Sequence, residues 1–213
     1  MRVWTPFLLS MMPLLGWGAD FDLTSTLRKL EDRYNNLKTM QVEFTQTISY
    51  KAQPAAKRTE SGVLYLKKPG RMRWDYREPA RKLFLSDGKD IYFYSPAANR
   101  VEKSKLKETE DMRAPLAFLI GRLDFQRDFR EYVVRQDGPD RWITARPRSD
   151  QAPYTEVRFL LTPSIQISRL RVVGHDDSIM EFQFNHEQLN PKLDDKMFQF
   201  QAPAGVEMID VNN

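Results

Sequence analysis

The spacing of apolar residues changes period once along this chain, and the change separates a helix from a long run of strands. Leu23, Leu27, Leu30, Tyr34 and Leu37 recur at alternating steps of four and three, which lays one apolar stripe along a helix face. The spacing predicts a helix over 22–38. Asp22 or Thr24 can cap its start, and Arg28, Lys29, Asp32 and Arg33 form its polar face. From Met40 the period becomes two: Met40, Val42 and Phe44 alternate with Gln41, Glu43 and Thr45, the pattern of a strand with one wet face. It returns at Leu64 and Leu66, and again at Met72, Trp74 and Tyr76. Asp87-Gly88 between the apolar runs 83–85 and 91–94 is a hairpin signal. Further strands are predicted at 131–136, 141–146, 155–161, 165–173 and 178–187, with turns at Asp137-Gly138-Pro139 and Thr162-Pro163-Ser164. About ten strands joined by short turns predict an antiparallel meander or barrel. No internal repeat or low-complexity linker interrupts it.

Two apolar segments stand outside this alternation. Residues 114–121 begin Ala114-Pro115 and end at Gly121, with Leu116, Ala117, Phe118, Leu119 and Ile120 between. Proline near the start and glycine at the end suit a short helix. Having no polar face, such a helix is either buried core or a plug in something apolar. Residues 1–18 pair a basic start, Arg2, with an apolar stretch from Phe7 to Leu15 and the small-x-small step Gly16-Trp17-Gly18. This is the pattern of a secretory signal peptide, and Pro6 and Pro13 make the run too broken for the roughly 20 apolar residues of a membrane span. The expected mature chain is exported and soluble, one domain over 19–213.

Composition narrows the chemistry. Without Arg2 there remain 32 basic and 29 acidic residues, interspersed, a net charge of +3 that gives no argument for nucleic acid. The chain has no cysteine, which excludes disulfides, thiol catalysis, Cys-based zinc sites and a lipid anchor at the cleavage point. The two histidines do little for catalysis. His175-Asp176-Asp177-Ser178 is turn chemistry, with no nucleophile elbow. His186-Glu187 lacks the partners of a metal site, and there is no glycine-rich phosphate loop. No cofactor is expected. Lys103, Lys105 and Lys107 alternate as the solvated face of an edge strand would, or as a surface for an acidic partner or anionic headgroups. The aromatics Phe44, Tyr65, Trp74, Tyr76, Phe84, Tyr92, Phe93 and Tyr94 fall on consecutive strands. They fit an ordinary sheet core or the wall of an apolar cavity, and periodicity does not separate a filled barrel from a hollow one.

Taken in order, these residues resemble the periplasmic outer-membrane lipoprotein carrier proteins of the LolA type. The resemblance rests on Phe44-Thr45-Gln46, on the run from Gly62 to Trp74 with Lys67-Lys68-Pro69-Gly70 at its turn, and on Ser86-Asp87-Gly88-Lys89 followed by Ile91-Tyr92-Phe93-Tyr94-Ser95-Pro96. Pro115 to Ile120 and the ending from Phe198 to Val206 complete it. It spans about residues 22–210. It implies a mainly β fold with helices (α+β): an incomplete antiparallel barrel of about ten to eleven strands, closed by a helical lid around an apolar cavity. By this resemblance Met40, Val42, Phe44, Leu64, Leu66, Met72, Trp74 and Tyr76 line the cavity. Leu27, Leu30, Tyr34 and Leu37, with Pro115, Leu116, Phe118, Leu119 and Ile120, form the lid. The family often has arginine at the position of Lys68, where it latches the lid. Lysine keeps the charge but loses the planar fork of donors, and Arg71 and Arg73 stand nearby as alternatives. The implied role is that of a monomeric, non-enzymatic carrier. It takes lipoproteins by their acyl chains from an inner-membrane lipoprotein-releasing ABC transporter and passes them to an outer-membrane acceptor. A carrier of free lipid or glycolipid, and a lipid-sensing signalling module, share the same half-barrel; a hydrolase is disfavoured by the missing site.

Overall fold

The computed structural model describes residues 21–106 and 123–211. The expected signal at 1–18 and the apolar segment 114–121 lie outside the described residues, as does Lys107. The predicted helix is α1, Leu23–Asn35. Asp22 caps it, its carboxylate accepting from the Ser25 N–H at 3.2 Å and satisfying one orphan donor of the first turn. The helix stops before Leu37, which stays buried from the connection that follows. A four-residue helix α2, Phe125–Asp128, is capped in the same way by Asp124, which accepts from the Arg127 N–H at 3.0 Å.

The strands are β1 Thr39–Tyr50, β2 Gln53–Lys67, β3 Arg71–Glu78, β4 Lys82–Asp87, β5 Asp90–Ser95, β6 Arg100–Lys105, β7 Phe129–Asp137, β8 Asp140–Pro147, β9 Glu156–Leu161, β10 Ile167–Val173, β11 Ser178–Leu189 and β12 Glu207–Asp210. They form one sheet in the order β12-β6-β5-β4-β3-β2-β1-β11-β10-β9-β8-β7. The chain's first strand is thus central. It makes a long hairpin with β2 and pairs on its other side with β11. Among the described residues no ladder joins the outermost strands β12 and β7, so the sheet is an open, incomplete barrel.

Four details depart from the sequence reading. The described strands number twelve rather than ten or eleven, and β12 pairs with β6 in parallel. A four-residue edge strand that is mostly exposed has no buried face to impose alternation on its sequence. The lysine strand, β6, is in consequence not an edge: β12 covers it. Lys103 and Lys105 both reach the carboxylate of Asp90, at 3.1 and 2.6 Å, and hold it below the usual carboxylate range. The β2 strand also starts well before Leu64, because residues 55–59 are exposed and show no apolar rhythm.

The sheet has a core on each face. On the concave side one continuous cluster joins α1 to strands from both arms, from Phe84 and Ile91 to Phe159 and Phe182. On the convex side of β2 to β6, Val63, Leu85 and Val101 are buried beneath the C-terminal segment, whose Phe198 is 1% exposed. Phe200 stacks on Tyr92 with centroids 4.7 Å apart. Burial on both faces explains why Leu83, Phe84 and Leu85 are consecutively apolar rather than alternating. The turns at the ends of β3 and β4 are locked together. Ser86 Oγ donates to the Gly70 carbonyl at 2.9 Å, and Asp87 accepts from the Lys89 and Asp90 N–H groups. Gly70 and Gly88 both have positive φ, and a Cβ on Gly70 would lie 3.1 Å from the Gly88 Cα. A side chain at either position would be strained by that φ, and one on Gly70 would crowd the neighbouring turn.

Candidate ligand-binding interior

The eight residues expected on the inner wall are brought together on the concave face, and all are buried. Register explains the grouping. Val42, Leu64, Trp74 and Phe84 form one row across four strands, and Met40, Leu66 and Met72 form the next. The following row is Phe44, Gly62 and Tyr76. A Cβ at Gly62 would lie 2.0 Å from the Asp75 carbonyl oxygen. The bare position also lets the Phe44 and Tyr76 rings meet across it, edge to face at 5.1 Å. Phe44 meets Trp74 in the same manner at 4.7 Å, and Trp74 lies 5.4 Å from Phe182. Such contacts add about 0.5–1.5 kcal/mol each to the burial term.

Helix α1 covers this wall with Leu27, Leu30 and Tyr34. Its attachments are polar and concentrated at its C-terminal half. Lys68 Nζ donates to the Tyr34 carbonyl at 2.8 Å, a favourable place for a cation because the last carbonyls of a helix lack partners. Partial burial lowers the Lys68 pKa. The Tyr34 hydroxyl donates to Glu187 at 2.9 Å and accepts from the Ile167 N–H at 3.2 Å. Burial, then the Glu187 charge, push the Tyr34 pKa well above its usual value. Arg33 pairs with the other oxygen of Glu187, whose side chain is 4% exposed. Asn35 exchanges two hydrogen bonds with the backbone of Leu123, and Glu31 accepts from the Phe125 N–H at 2.7 Å. One helix thereby bridges both arms of the open sheet.

Lys68 therefore sits where a contact to the helix is made. Arg71 and Arg73, the alternatives, point to the opposite face and do not replace it. Arg71 pairs with Asp195, and Arg73 donates to the Met197 carbonyl at 3.0 Å, so both clamp the C-terminal segment. The lid residues Pro115, Leu116, Phe118, Leu119 and Ile120 lie outside the described residues.

Sequence reasoning missed the polar members of this interior. Gln46 continues the inner parity of Phe44 and is 2% exposed, so its position was legible and only its chemistry was unlike the rest. Glu60 and Lys82, paired at 2.6 Å, likewise continue the parity of Leu64 and of Phe84, whereas Glu187 gave no such signal. A cleft of about 290 Å³ opens beside Gln46, Glu60, Tyr76 and Lys82. Another of about 310 Å³ lies along α1 beside Leu23, Leu27 and Phe125. The largest described cleft, about 540 Å³, lies apart from the inner wall among Lys51, Arg130, Arg146, Arg158 and Arg171. Its cations are matched by carboxylates, such as Arg146 with Glu131 at 3.2 Å and Arg158 with Glu156 at 2.7 Å. His175 contacts the Ala152 carbonyl in a turn, and His186 contacts Glu43. Among the described residues no three His, Cys, Asp or Glu side chains group as metal ligands, and no helix is long and apolar enough to cross a membrane.

An unclosed sheet with a continuous apolar concave face under one polar-tethered helix defines a class of half-barrel folds. The outer membrane lipoprotein carrier protein LolA family matches residues 35–201, and the chain belongs to that family. The outer-membrane lipoprotein carrier protein of Nitrosospira multiformis is 29% identical, over 84% of this chain and 86% of its own. That of Methylococcus capsulatus is 26% identical, over 95% and 96%. Among solved structures, an uncharacterized conserved protein from Thermus thermophilus superposes with a TM-score of 0.51 at 10% identity, covering 86% of this chain and 98% of that one. This last likeness concerns the fold alone.

Proposed function

We propose that this chain is a periplasmic carrier that shields the acyl chains of lipoproteins between the two membranes. It receives them from an inner-membrane ABC transporter and yields them to an outer-membrane acceptor, and its own role involves no chemical turnover. The observation that carries this reading is the concave wall formed by Met40, Val42, Phe44, Leu64, Leu66, Met72, Trp74 and Tyr76, buried beneath α1. Membership of the carrier family supports it. In this reading residues 1–18 are the export signal and 19–213 the carrier domain.

The physics requires a shield and a release. An acyl chain of about 16 carbons gains on the order of 13 kcal/mol by leaving water, at about 0.8 kcal/mol per CH₂. No lipoprotein with two or three such chains crosses water unaided. In the closed form Leu27, Leu30 and Tyr34 occupy the wall. Loading replaces their contacts by acyl contacts, an exchange of apolar for apolar surface with a small net change. Gating is then a population shift between covered and uncovered states. Lys68, at one hydrogen bond to the Tyr34 carbonyl, is the latch, and the Glu187 cluster anchors the same end of the helix. Met40 and Met72 suit irregular chains, being flexible and polarizable. Mass spectrometry of the protein purified from a periplasm tests the reading. Copurified lipidated peptides are expected. Recovery of the protein with neither lipidated peptide nor lipid, after expression alongside abundant lipoproteins, would refute it.

A further inference from the structure

One end of the inner wall is polar, and the shielding of acyl chains makes no use of it. Gln46 stands on β1 two residues beyond Phe44 and is 2% exposed. Its Oε1 accepts from the Tyr76 hydroxyl at 2.7 Å, which leaves the amide Nε2 as the donor Gln46 can offer in the cleft it lines. Directly across the ladder from Gln46 is Glu60, 6% exposed, which holds Lys82 Nζ at 2.6 Å. The Lys82 ammonium lies 4.8 Å from the Tyr76 ring centroid. Trp74, one row from Tyr76 along β3, is fully buried, and its Nε1–H has no hydrogen-bond partner among the described residues. Buried donors are rarely left unpaired, because they forfeit the hydrogen bond that water gave them. Trp74 Nε1 is such a donor, and together with the Gln46 amide it favours an acceptor entering from a place beside them. The cleft of about 290 Å³ lined by Gln46, Ile48, Glu60, Tyr76 and Lys82 is such a place. Its charges are balanced, Arg58 and Lys82 against Glu60 and Asp176, and Glu60 would repel an anion. The acceptor that fits is neutral.

We infer that this end of the half-barrel is a carbonyl-binding subsite for the ester or amide head of an acylated ligand. Gln46 Nε2 donates to the carbonyl oxygen, and the chains run from there along β1 toward Met40, about 20 Å away at about 3.3 Å per residue. Trp74 Nε1 is a second donor, deeper in the wall. The inference rests on the acyl-carrier reading and adds a fixed orientation to it: head at Gln46, chain ends beneath α1.

Displacement of an environment-sensitive apolar dye from the full mature chain tests it. The competitors are a peptide with an S-diacylglyceryl cysteine, free diacylglycerol, and the dialkyl-ether counterpart of each, which keeps the chains but lacks the ester carbonyls. Ester forms should displace the dye at about tenfold lower concentration than ether forms, the scale of one hydrogen bond. Gln46→Met should remove that preference, read as the ratio of ester to ether displacement within the same variant. A preference in the peptide arm identifies a lipoprotein head, and one confined to the diacylglycerol arm identifies a free lipid; both support the subsite. Equal binding of ester and ether forms by the wild-type chain overturns the subsite and leaves the carrier reading standing. Failure of every competitor to bind overturns the carrier reading and the subsite with it. The wild-type comparison needs no variant to fold.

Discussion

The two faces of the sheet are covered in opposite ways. On the convex face the C-terminal segment is fastened along its length. Lys67 donates to the Leu193 carbonyl and pairs with Asp195, Arg71 pairs with Asp195, Arg73 reaches the Met197 carbonyl, and β12 forms a ladder with β6. Phe198 and Phe200 are inserted between those ties. On the concave face α1 is tethered mainly through its C-terminal half, by Lys68, Glu187, Asn35 and Glu31. Distributed ties must break together, whereas ties at one end let an element swing away by losing a few hydrogen bonds. The proposed gating requires the convex cover to stay and the concave cover to move.

The largest expected effects come from emptying either core. Trp74→Ala and Phe198→Ala should each cost about 3–5 kcal/mol in urea denaturation, the range for large aromatic deletions. The comparison predicts that they part in function: Trp74→Ala weakens uptake of an apolar dye, and Phe198→Ala leaves uptake by the folded fraction intact. Equal loss of uptake in both would erase the distinction between wall and scaffold.

Removing the anchor of the concave cover should come next. Glu187→Gln leaves Arg33 without its anion, and a hydrogen bond to a charged group contributes about 1.5–3 kcal/mol. Hydrogen exchange should accelerate across residues 23–35 and stay unchanged across 193–210. Acceleration in both segments would show that the two covers are one cooperative unit.

Lys68→Met, which deletes one donor at the Tyr34 carbonyl, should have a smaller effect, about 1 kcal/mol, again confined to α1. Lys68→Arg should slow exchange there and slow cargo loading, since the guanidinium offers a fork of donors to the helix end. No change in either rate would remove Lys68 from the gate.

The smallest effects separate the covers by pH. Hydrogen bonds from Lys67 and Arg71 depress the Asp195 pKa. Its contribution is present above the ordinary carboxylate value near 3.8 and fades as pH falls below it. The Tyr34 pKa is raised, so its contribution is present below its ordinary value of 10.0 and fades as pH rises beyond it. Urea midpoints of Asp195→Asn should differ from wild type less in acid than at neutrality. Those of Tyr34→Phe should differ less in strong alkali. A constant difference at all pH values would dissociate either residue from its cover.

Much of this arrangement was legible because it obeys a period. The stripe from Leu23 to Leu37 gave α1, the parity of Met40, Val42 and Phe44 gave one shared face, which Gln46 continues, and the family resemblance made that face the inner wall. Asp87-Gly88 gave the β4–β5 turn. The family resemblance pointed to Lys68. The illegible parts are those where neighbours in space lie far apart in the chain. Glu187 meets Tyr34 across 153 positions, Glu60 on β2 meets Lys82 on β4 past the intervening β3, and β12 joins β6 in an exposed ladder with no burial pattern of its own.

By itself the sequence determined the elements, because burial of one face writes a period of two or 3.6 into the residues that form it. It determined which side chains share a face, since parity along a strand is local. Only the tertiary structure decided that the sheet stays open, that α1 closes over its concave side, and that Arg71 and Arg73 serve the other face while Lys68 serves the helix. Those outcomes depend on strand order and register between distant segments, and a side chain's partner across a sheet leaves no mark on the residues beside it in the chain.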